Sequence, residues 1–174
     1  MPSLVEQLRQ AHRPLILAGT GVRLAGADKA LLAFAEAHGI PVATAWTHDL
    51  IASDHPLFAG RPGTIGTRAG NFCTQNADCV IVIGSRLNIR QVSYNWDSFA
   101  KDAVITQVDA DPAELAKPFV KPHLSVACDA RLFVEALTAA CADGLPGWVM
   151  SYPINTPNPK SKEILSCTQR SEEH

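Results

Sequence analysis

The sequence predicts an α/β fold in three layers, with a doubly wound, mostly parallel six-stranded sheet between two layers of helices. Three observations support this prediction. Strand-like and helix-like segments alternate from residue 14 to residue 142, which is typical of α/β proteins. Several strand segments are apolar along their whole length, as expected for strands that are covered on both faces. Glycine or polar residues follow the strands, at the ends where open α/β sheets bind ligands.

The first strand, the turn after it and the helix that follows are the first unit of this predicted fold. Residues 15–18 are an apolar run that ends at Gly19, Thr20 and Gly21, and residues 26–38 then have a helical pattern. A strand, a glycine turn and a helix can together bind a phosphate. The third glycine of the dinucleotide fingerprint is replaced by Leu24, and a tight turn without a ligand explains the two glycines equally well.

Four further segments complete the first half of the predicted fold. A helix over residues 3–12 precedes the first strand, and residues 40–46 form the second strand. Within the mixed segment that follows, the pattern indicates a turn of helix at residues 49–51 and a short edge strand at residues 58–60.

The loop over residues 61–71 contains three glycines and leads into a helix that runs to Asn76. Gly66 and Thr67 lie directly before this helix. Free N–H groups at a helix N-terminus suit a phosphate, although a structural turn explains the glycines nearly as well.

The strongest predicted strand is residues 77–84, because it contains four consecutive β-branched residues and ends at Gly84. It should lie centrally in the sheet. Residues 85–95, which include Arg86, are polar and are predicted to be a solvated loop. Residues 103–109 are the next strand and end at Asp109.

Two aspartates are predicted helix caps. Asp111 precedes Pro112 at the start of a helix, and Asp129 follows the last short strand, residues 124–128, and precedes a helix over residues 130–142. The complete pattern predicts a Rossmann-like topology of the FAD/NAD-binding type.

Composition excludes several classes of function. The 174 residues carry a formal charge of -2, which gives no basic surface for nucleic acid or an anionic membrane. Apolar runs are far shorter than the roughly 20 residues of a membrane span, so a cytoplasmic protein is expected. The five cysteines and six histidines show neither a disulfide framework nor the spacing of a metal site.

Domain organisation follows from where the α/β pattern ends. Residues 1–145 are predicted to be one domain. Residues 146–174 are rich in proline and polar residues, which predicts a linker or C-terminal tail.

In order and spacing, the motifs at the strand ends resemble those of a known family. They are Arg13-Pro14 with Ala18-Gly19-Thr20-Gly21, Gly63-Thr64-Ile65-Gly66-Thr67 with Asn71, residues 76–87 and residues 108–115. The chain resembles the central domain of thiamine diphosphate-dependent enzymes of the acetolactate synthase-like branch, over about residues 3–142.

The resemblance implies a module that does not catalyse by itself. In the family, a pyrimidine-binding domain and a diphosphate-binding domain flank the central domain and hold thiamine diphosphate and magnesium. The Gly-Asp-Gly segment of the diphosphate domain is absent here. The expected function is therefore a structural part of a carboligase or decarboxylase acting on 2-oxo acids, with no catalytic or metal-binding residue of its own. The isolated chain is expected to be a monomer or weak dimer.

The resemblance also implies where a cofactor would bind. Central domains of the family hold FAD, another adenine nucleotide or nothing, so FAD is one of three expectations. The contacts would map to ten residues: Gly19, Thr20, Gly21, Gly66, Thr67, Gly84, Arg86, Asp109, Asp111 and Asp129. The alternative function is an autonomous adenine-nucleotide-binding or regulatory module on the same sheet topology.

Overall fold

The computed structural model describes residues 2–46 and 49–146. Six strands form one sheet: β1 (Pro14–Ala18), β2 (Val42–Thr44), β3 (Phe58–Gly60), β4 (Cys79–Ile83), β5 (Val104–Asp109) and β6 (Leu124–Ala127). Their order is β3-β2-β1-β4-β5-β6, and all five neighbouring pairs are parallel. The predicted α/β class, the doubly wound sheet and the central place of β4 are confirmed. The predicted tail begins at residue 146, and its residues 147–174 lie outside the described residues.

Helices connect the strands and cover both faces of the sheet. They are α1 (Pro2–Gln10), α2 (Thr20–Leu24), α3 (Asp28–His38), α4 (Arg68–Asn76), α5 (Ile89–Val92), α6 (Pro112–Leu115) and α7 (Ala130–Ala140), with a 3-10 turn at Trp96–Ser98. No helix within these described ranges is long and apolar enough to cross a membrane.

Two apolar cores result from the alternation of side chains along each strand. Ile16 of β1 belongs to the core under α1, α3 and α7, whereas its neighbour Leu17 belongs to the core on the opposite face. This second core includes Val92 of α5 and Phe99, directly after the 3-10 turn. A strand buried on both faces explains why β1 and β4 are apolar throughout.

The structure differs from the sequence prediction at three places. The segment after β1 was predicted as a glycine turn, but its residues Thr20–Leu24 form the short helix α2. Residues 49–51, predicted as a turn of helix, form bends. Residues 85–95, predicted as a solvated loop, contain α5 and two buried polar residues, Ser85 and Gln91.

Candidate functional site

The strand order creates a crevice between β1 and β4. The chain winds from β1 through β2 to β3 on one side and continues through β4 to β6 on the other, so β1 and β4 flank the point where the order reverses. In open α/β sheets, ligands bind at this point, beyond the carboxyl ends of the strands. We call this place the switch-point crevice, and the edge of the sheet that contains it the carboxyl edge.

The predicted glycines meet at this crevice and are in contact with each other. The Gly19 amide donates to the Ile83 carbonyl and the Gly21 amide donates to the Gly84 carbonyl, each at 2.9 Å. A Cβ on Gly21 would lie 2.6 Å from the Cα of Gly84. The two loops therefore require glycine for their own packing, and the amides of Gly19 and Gly21 are already used. Thr20 lies between them, at the first position of α2.

Arg86 lies two residues beyond Gly84, and its side chain reaches Glu114 of α6, in the connection that follows β5. Its Nε donates to Glu114 Oε1 at 2.9 Å, and Lys117 donates to the other oxygen of the same carboxylate. Glu114 is 10% exposed, whereas the Arg86 side chain is 71% exposed. The guanidinium is thus anchored at one nitrogen and still faces solvent at the carboxyl edge.

The electrostatic effect of these two cations is seen at Glu114. Burial by itself raises the pKa of this carboxyl, but hydrogen bonds and charge from Lys117 and Arg86 outweigh burial, and the pKa lies below its ordinary value. The carboxylate therefore stays ionised and joins the end of β4 to α6 after β5.

The three predicted aspartates lie at the end of β5 or shortly after β5 and β6, where each has a local structural role. Asp109 Oδ1 accepts the amide of Asp111 at 3.0 Å, and Asp111 Oδ1 accepts the amide of Ala113 at 2.9 Å at the start of α6. Asp129 Oδ1 caps α7 by accepting two backbone amides of its first turn. The predicted capping roles of Asp111 and Asp129 are confirmed.

Gly66 and Thr67 lie at the other end of the strand order from the aspartates, after the edge strand β3. Thr67 Oγ1 caps α4 by accepting the Gly70 amide at 3.0 Å and also accepts the Arg61 amide at 3.0 Å. Gly66 has no room for a Cβ because the Arg61 carbonyl lies against it. The Gly70 amide at the start of α4 therefore already has an acceptor within the chain. This loop also contacts α5, since the Thr64 amide donates to the Arg90 carbonyl at 2.8 Å.

The structure thus places all ten predicted residues at the carboxyl edge, but it brings only some of them together. Gly19 and Gly21 are each in direct contact with Gly84, and Thr20 and Arg86 lie in the same two connections, after β1 and β4. The other five residues lie at the end of β5 or in the connections that follow β3, β5 and β6. Ser85 and Gln91 were missed. Ser85 Oγ donates to Gln91 Oε1 at 3.0 Å, and both residues are buried. Polar residues in a polar segment give no hydropathy signal of burial.

The described residues do not provide a metal site. In residues 2–46 and 49–146, no group of three or more His, Cys, Asp or Glu side chains could hold a metal ion.

Comparison with known proteins identifies the family. Residues 2–137 match the family model described as "Thiamine pyrophosphate enzyme, central domain". The chain belongs to this family. The predicted resemblance is confirmed, and all ten candidate residues of this central domain lie within the matched segment.

Curated relatives place the central domain in the acetolactate synthase-like branch. It is 38% identical over 132 residues to the probable acetolactate synthase large subunit of Methanococcus aeolicus, covering 75% of the chain and 22% of that protein. It is 37% identical over 141 residues to the sulfoacetaldehyde acetyltransferase of Roseovarius nubinhibens, covering 78% of the chain and 23% of that protein. The chain therefore spans less than a quarter of the length of these relatives.

Proposed function

We propose that this central domain is a structural part of a thiamine diphosphate-dependent carboligase or decarboxylase acting on a 2-oxo acid. Its role is to position a pyrimidine-binding and a diphosphate-binding domain, and it does not catalyse by itself. The observation that carries the proposal is the family match over residues 2–137. Thiamine diphosphate and magnesium are assigned to these two other domains, as the family resemblance implies.

Exposed apolar side chains support a docking role. Among the described residues, seven large apolar side chains are exposed: Leu24, Trp46, Ile65, Ile89, Tyr94, Phe119 and Leu132. Contiguous exposed apolar surface marks places that another protein surface covers. We therefore propose that some of these side chains take part in the contact with the thiamine-binding domains.

The coding sequence around this chain and the activity of the complete polypeptide test this function. We expect a domain with an activating glutamate upstream, a Gly-Asp-Gly segment downstream, and consumption of pyruvate that requires thiamine diphosphate and magnesium. A complete polypeptide that lacks both domains, or that is inactive on 2-oxo acids while binding thiamine diphosphate, would contradict the proposal.

FAD or another adenine nucleotide at the carboxyl edge is a second candidate function of the same domain. The exposed guanidinium of Arg86 beside the switch-point crevice favours it, because a diphosphate would give this group a charge-assisted partner. Against it, the Gly19 and Gly21 amides donate within the chain. Equilibrium dialysis against FAD, NAD and ADP separates the outcomes: FAD alone supports a flavin-holding central domain, NAD without FAD supports the autonomous nucleotide-binding module, and no binding supports a purely structural role.

We further propose that the isolated chain is a monomer or weak dimer, since the thiamine-binding domains would supply most of the contact between subunits. Light scattering at micromolar concentration tests this point. A stable tetramer would contradict it and would indicate an interface on the central domain itself.

A further inference from the structure

The edge strand β6 begins directly after a histidine that is bonded twice to the neighbouring strand. The His123 amide donates to the Ile105 carbonyl of β5 at 2.8 Å. The Ile105 amide in turn donates to Nδ1 of the His123 ring at 3.1 Å. One of the two bonds is therefore an ordinary backbone bond, and the other depends on a side chain that can be protonated.

The ring nitrogen of His123 takes the place of a backbone carbonyl. In a parallel ladder, an amide that faces the next strand donates to a carbonyl of that strand. The paired register of β5 and β6 begins at Thr106 and Leu124, so the Ile105 amide lies just before the ladder. Because Ile105 is 4% exposed, a donor left there without an acceptor is costly. The imidazole supplies this acceptor.

Only a neutral imidazole can accept the Ile105 amide. In the neutral ring one nitrogen accepts while the other carries the proton, whereas both nitrogens of the protonated ring are donors. The observed bond therefore requires the form of His123 that carries its proton on Nε2. A second proton, on Nδ1, would point at the N–H group of Ile105 and break the bond.

The position of the ring allows this second proton to bind. His123 is exposed, so solvent reaches its ring, and the ring can turn outward without disturbing the core. Histidine is the side chain whose ordinary charge change falls between about pH 5 and pH 8. The bond to Ile105 is therefore the contact at this edge of the sheet that acid removes.

The charged groups around His123 do not replace the lost bond. In the described part of the chain, its ring has no salt bridge. The charged side chains on the segments packed around it are Lys121 on its own segment, Lys101 and Asp102 before β5, Asp109 at the far end of β5, Glu114 with Lys117 and Arg86 at α6, and the Arg131–Glu135 pair of α7. No carboxylate of this set bonds to the ring within the described residues, so a new ion pair does not offset the loss.

We propose that His123 is a pH-sensitive switch at the entry of the edge strand β6. The neutral ring accepts the Ile105 amide and holds the connection before β6 against β5. The protonated ring loses this bond, turns to solvent and leaves the Ile105 amide unpaired. The rest of β6 stays paired, because its ladder with β5 and the bond from the Cys128 amide to the Asp109 carbonyl at 3.0 Å use backbone acceptors.

The test is an NMR titration of the complete chain from about pH 8 to about pH 5, with amide exchange rates corrected for their intrinsic dependence on pH. We expect the protection of the Ile105 amide to fall at least about 5-fold, the effect of leaving a buried donor unpaired, in step with protonation of the His123 ring. The Cys128 amide should keep its protection. Constant protection at Ile105 while the ring titrates would overturn the proposal, and so would an equal fall at Cys128, which would report opening of the whole edge.

Two substitutions separate the acceptor from its titration. His123→Asn keeps a side-chain acceptor oxygen that does not titrate, so the Ile105 amide should stay protected over the whole range. His123→Ala removes the acceptor, so the protection should be low throughout. His12→Asn is the matched control, because His12 is also exposed and its contact with Asp78 uses the backbone amide, so this variant should keep the wild-type response. A response to pH at Ile105 that persists in either His123 variant would overturn the proposal.

Discussion

The Gly21 amide donates to the Gly84 carbonyl at 2.9 Å, and this hydrogen bond joins the exits of β1 and β4 where the strand order reverses. Two loops approach this closely only because neither residue carries a side chain. A Cβ on Gly84 would in turn lie 2.6 Å from the Cα of Gly21. The contact explains glycine at both positions without a ligand.

Gly21→Ala should therefore destabilise the domain strongly. The new methyl group would meet backbone atoms of Gly84 that cannot move aside without shifting β4, so we expect a loss of about 3 kcal/mol or more in the free energy of unfolding. Urea denaturation measures it. Gly26→Ala is the control, because Gly26 has φ 63° and open space around it, which leaves only a left-handed backbone cost of about 1–2 kcal/mol. Equal losses in the two variants would contradict the close-contact explanation.

Asp129→Ala should reduce stability without affecting any nucleotide affinity. The substitution removes the side-chain acceptor for the amides of Arg131 and Leu132 at the start of α7, which should cost about 1 kcal/mol. Asp129→Asn keeps an acceptor oxygen and should restore most of the loss. Thermal unfolding and a FAD or ADP titration of both variants check this, and a large loss of affinity with little loss of stability would instead make Asp129 a ligand-binding residue.

Arg86→Ala separates the two proposals for the carboxyl edge. As a structural residue, Arg86 is mostly exposed, and Lys117 still pairs with Glu114 when Arg86 is removed, so the removal should cost less than about 1 kcal/mol of stability. If the edge binds a nucleotide diphosphate, the affinity should fall by about 1.5–3 kcal/mol, or roughly 10- to 150-fold. Arg131→Ala is the matched control, because Arg131 is similarly exposed and pairs with Glu135 through Nε at 2.9 Å. Equal nucleotide affinities in both variants would remove Arg86 from the site.

Glu114 should make stability depend on pH in the acid range. Its pKa in the folded state is lowered by Lys117 and Arg86, which outweigh burial, so the contribution of the carboxylate is present above the unfolded value of about 4.3 and is lost as pH falls through the folded value. Glu114→Gln should therefore be less stable than the wild type near neutral pH, and the difference should shrink as the solution becomes acidic. Urea midpoints measured from neutral to acid pH test this. A difference that stays constant or grows in acid would contradict the direction of the pKa shift.

The fold could be predicted because its signals are local and repeated. Continuous apolar runs predicted the strands β1 and β4, and apolar residues at helical spacing predicted the helices α3 and α7. The caps Asp111 and Asp129 marked where two helices begin. The short helix α2 was missed because it has only five residues and begins at Thr20, between two glycines. So short a segment carries too little periodicity to separate a turn from a helix.

The environment of the site was harder to predict, because it depends on contacts between distant segments. The sequence identified Gly19, Gly21 and Gly84 as candidates. It could not show that the two loops touch each other, because Gly84 lies 63 residues or more from the other two glycines in the chain. Ser85 and Gln91 are buried, and α5, which contains Gln91, is contacted by the loop before α4 through the hydrogen bond from the Thr64 amide to the Arg90 carbonyl. Polar residues buried by tertiary contacts leave no periodic signal.

We propose that this domain supports thiamine chemistry without holding the cofactor. Isothermal titration of the 174-residue chain with thiamine diphosphate and magnesium tests this proposal. We expect no saturable heat at cofactor concentrations that saturate a complete acetolactate synthase large subunit measured in parallel. Saturable, magnesium-dependent binding of thiamine diphosphate to the chain alone would contradict the proposal.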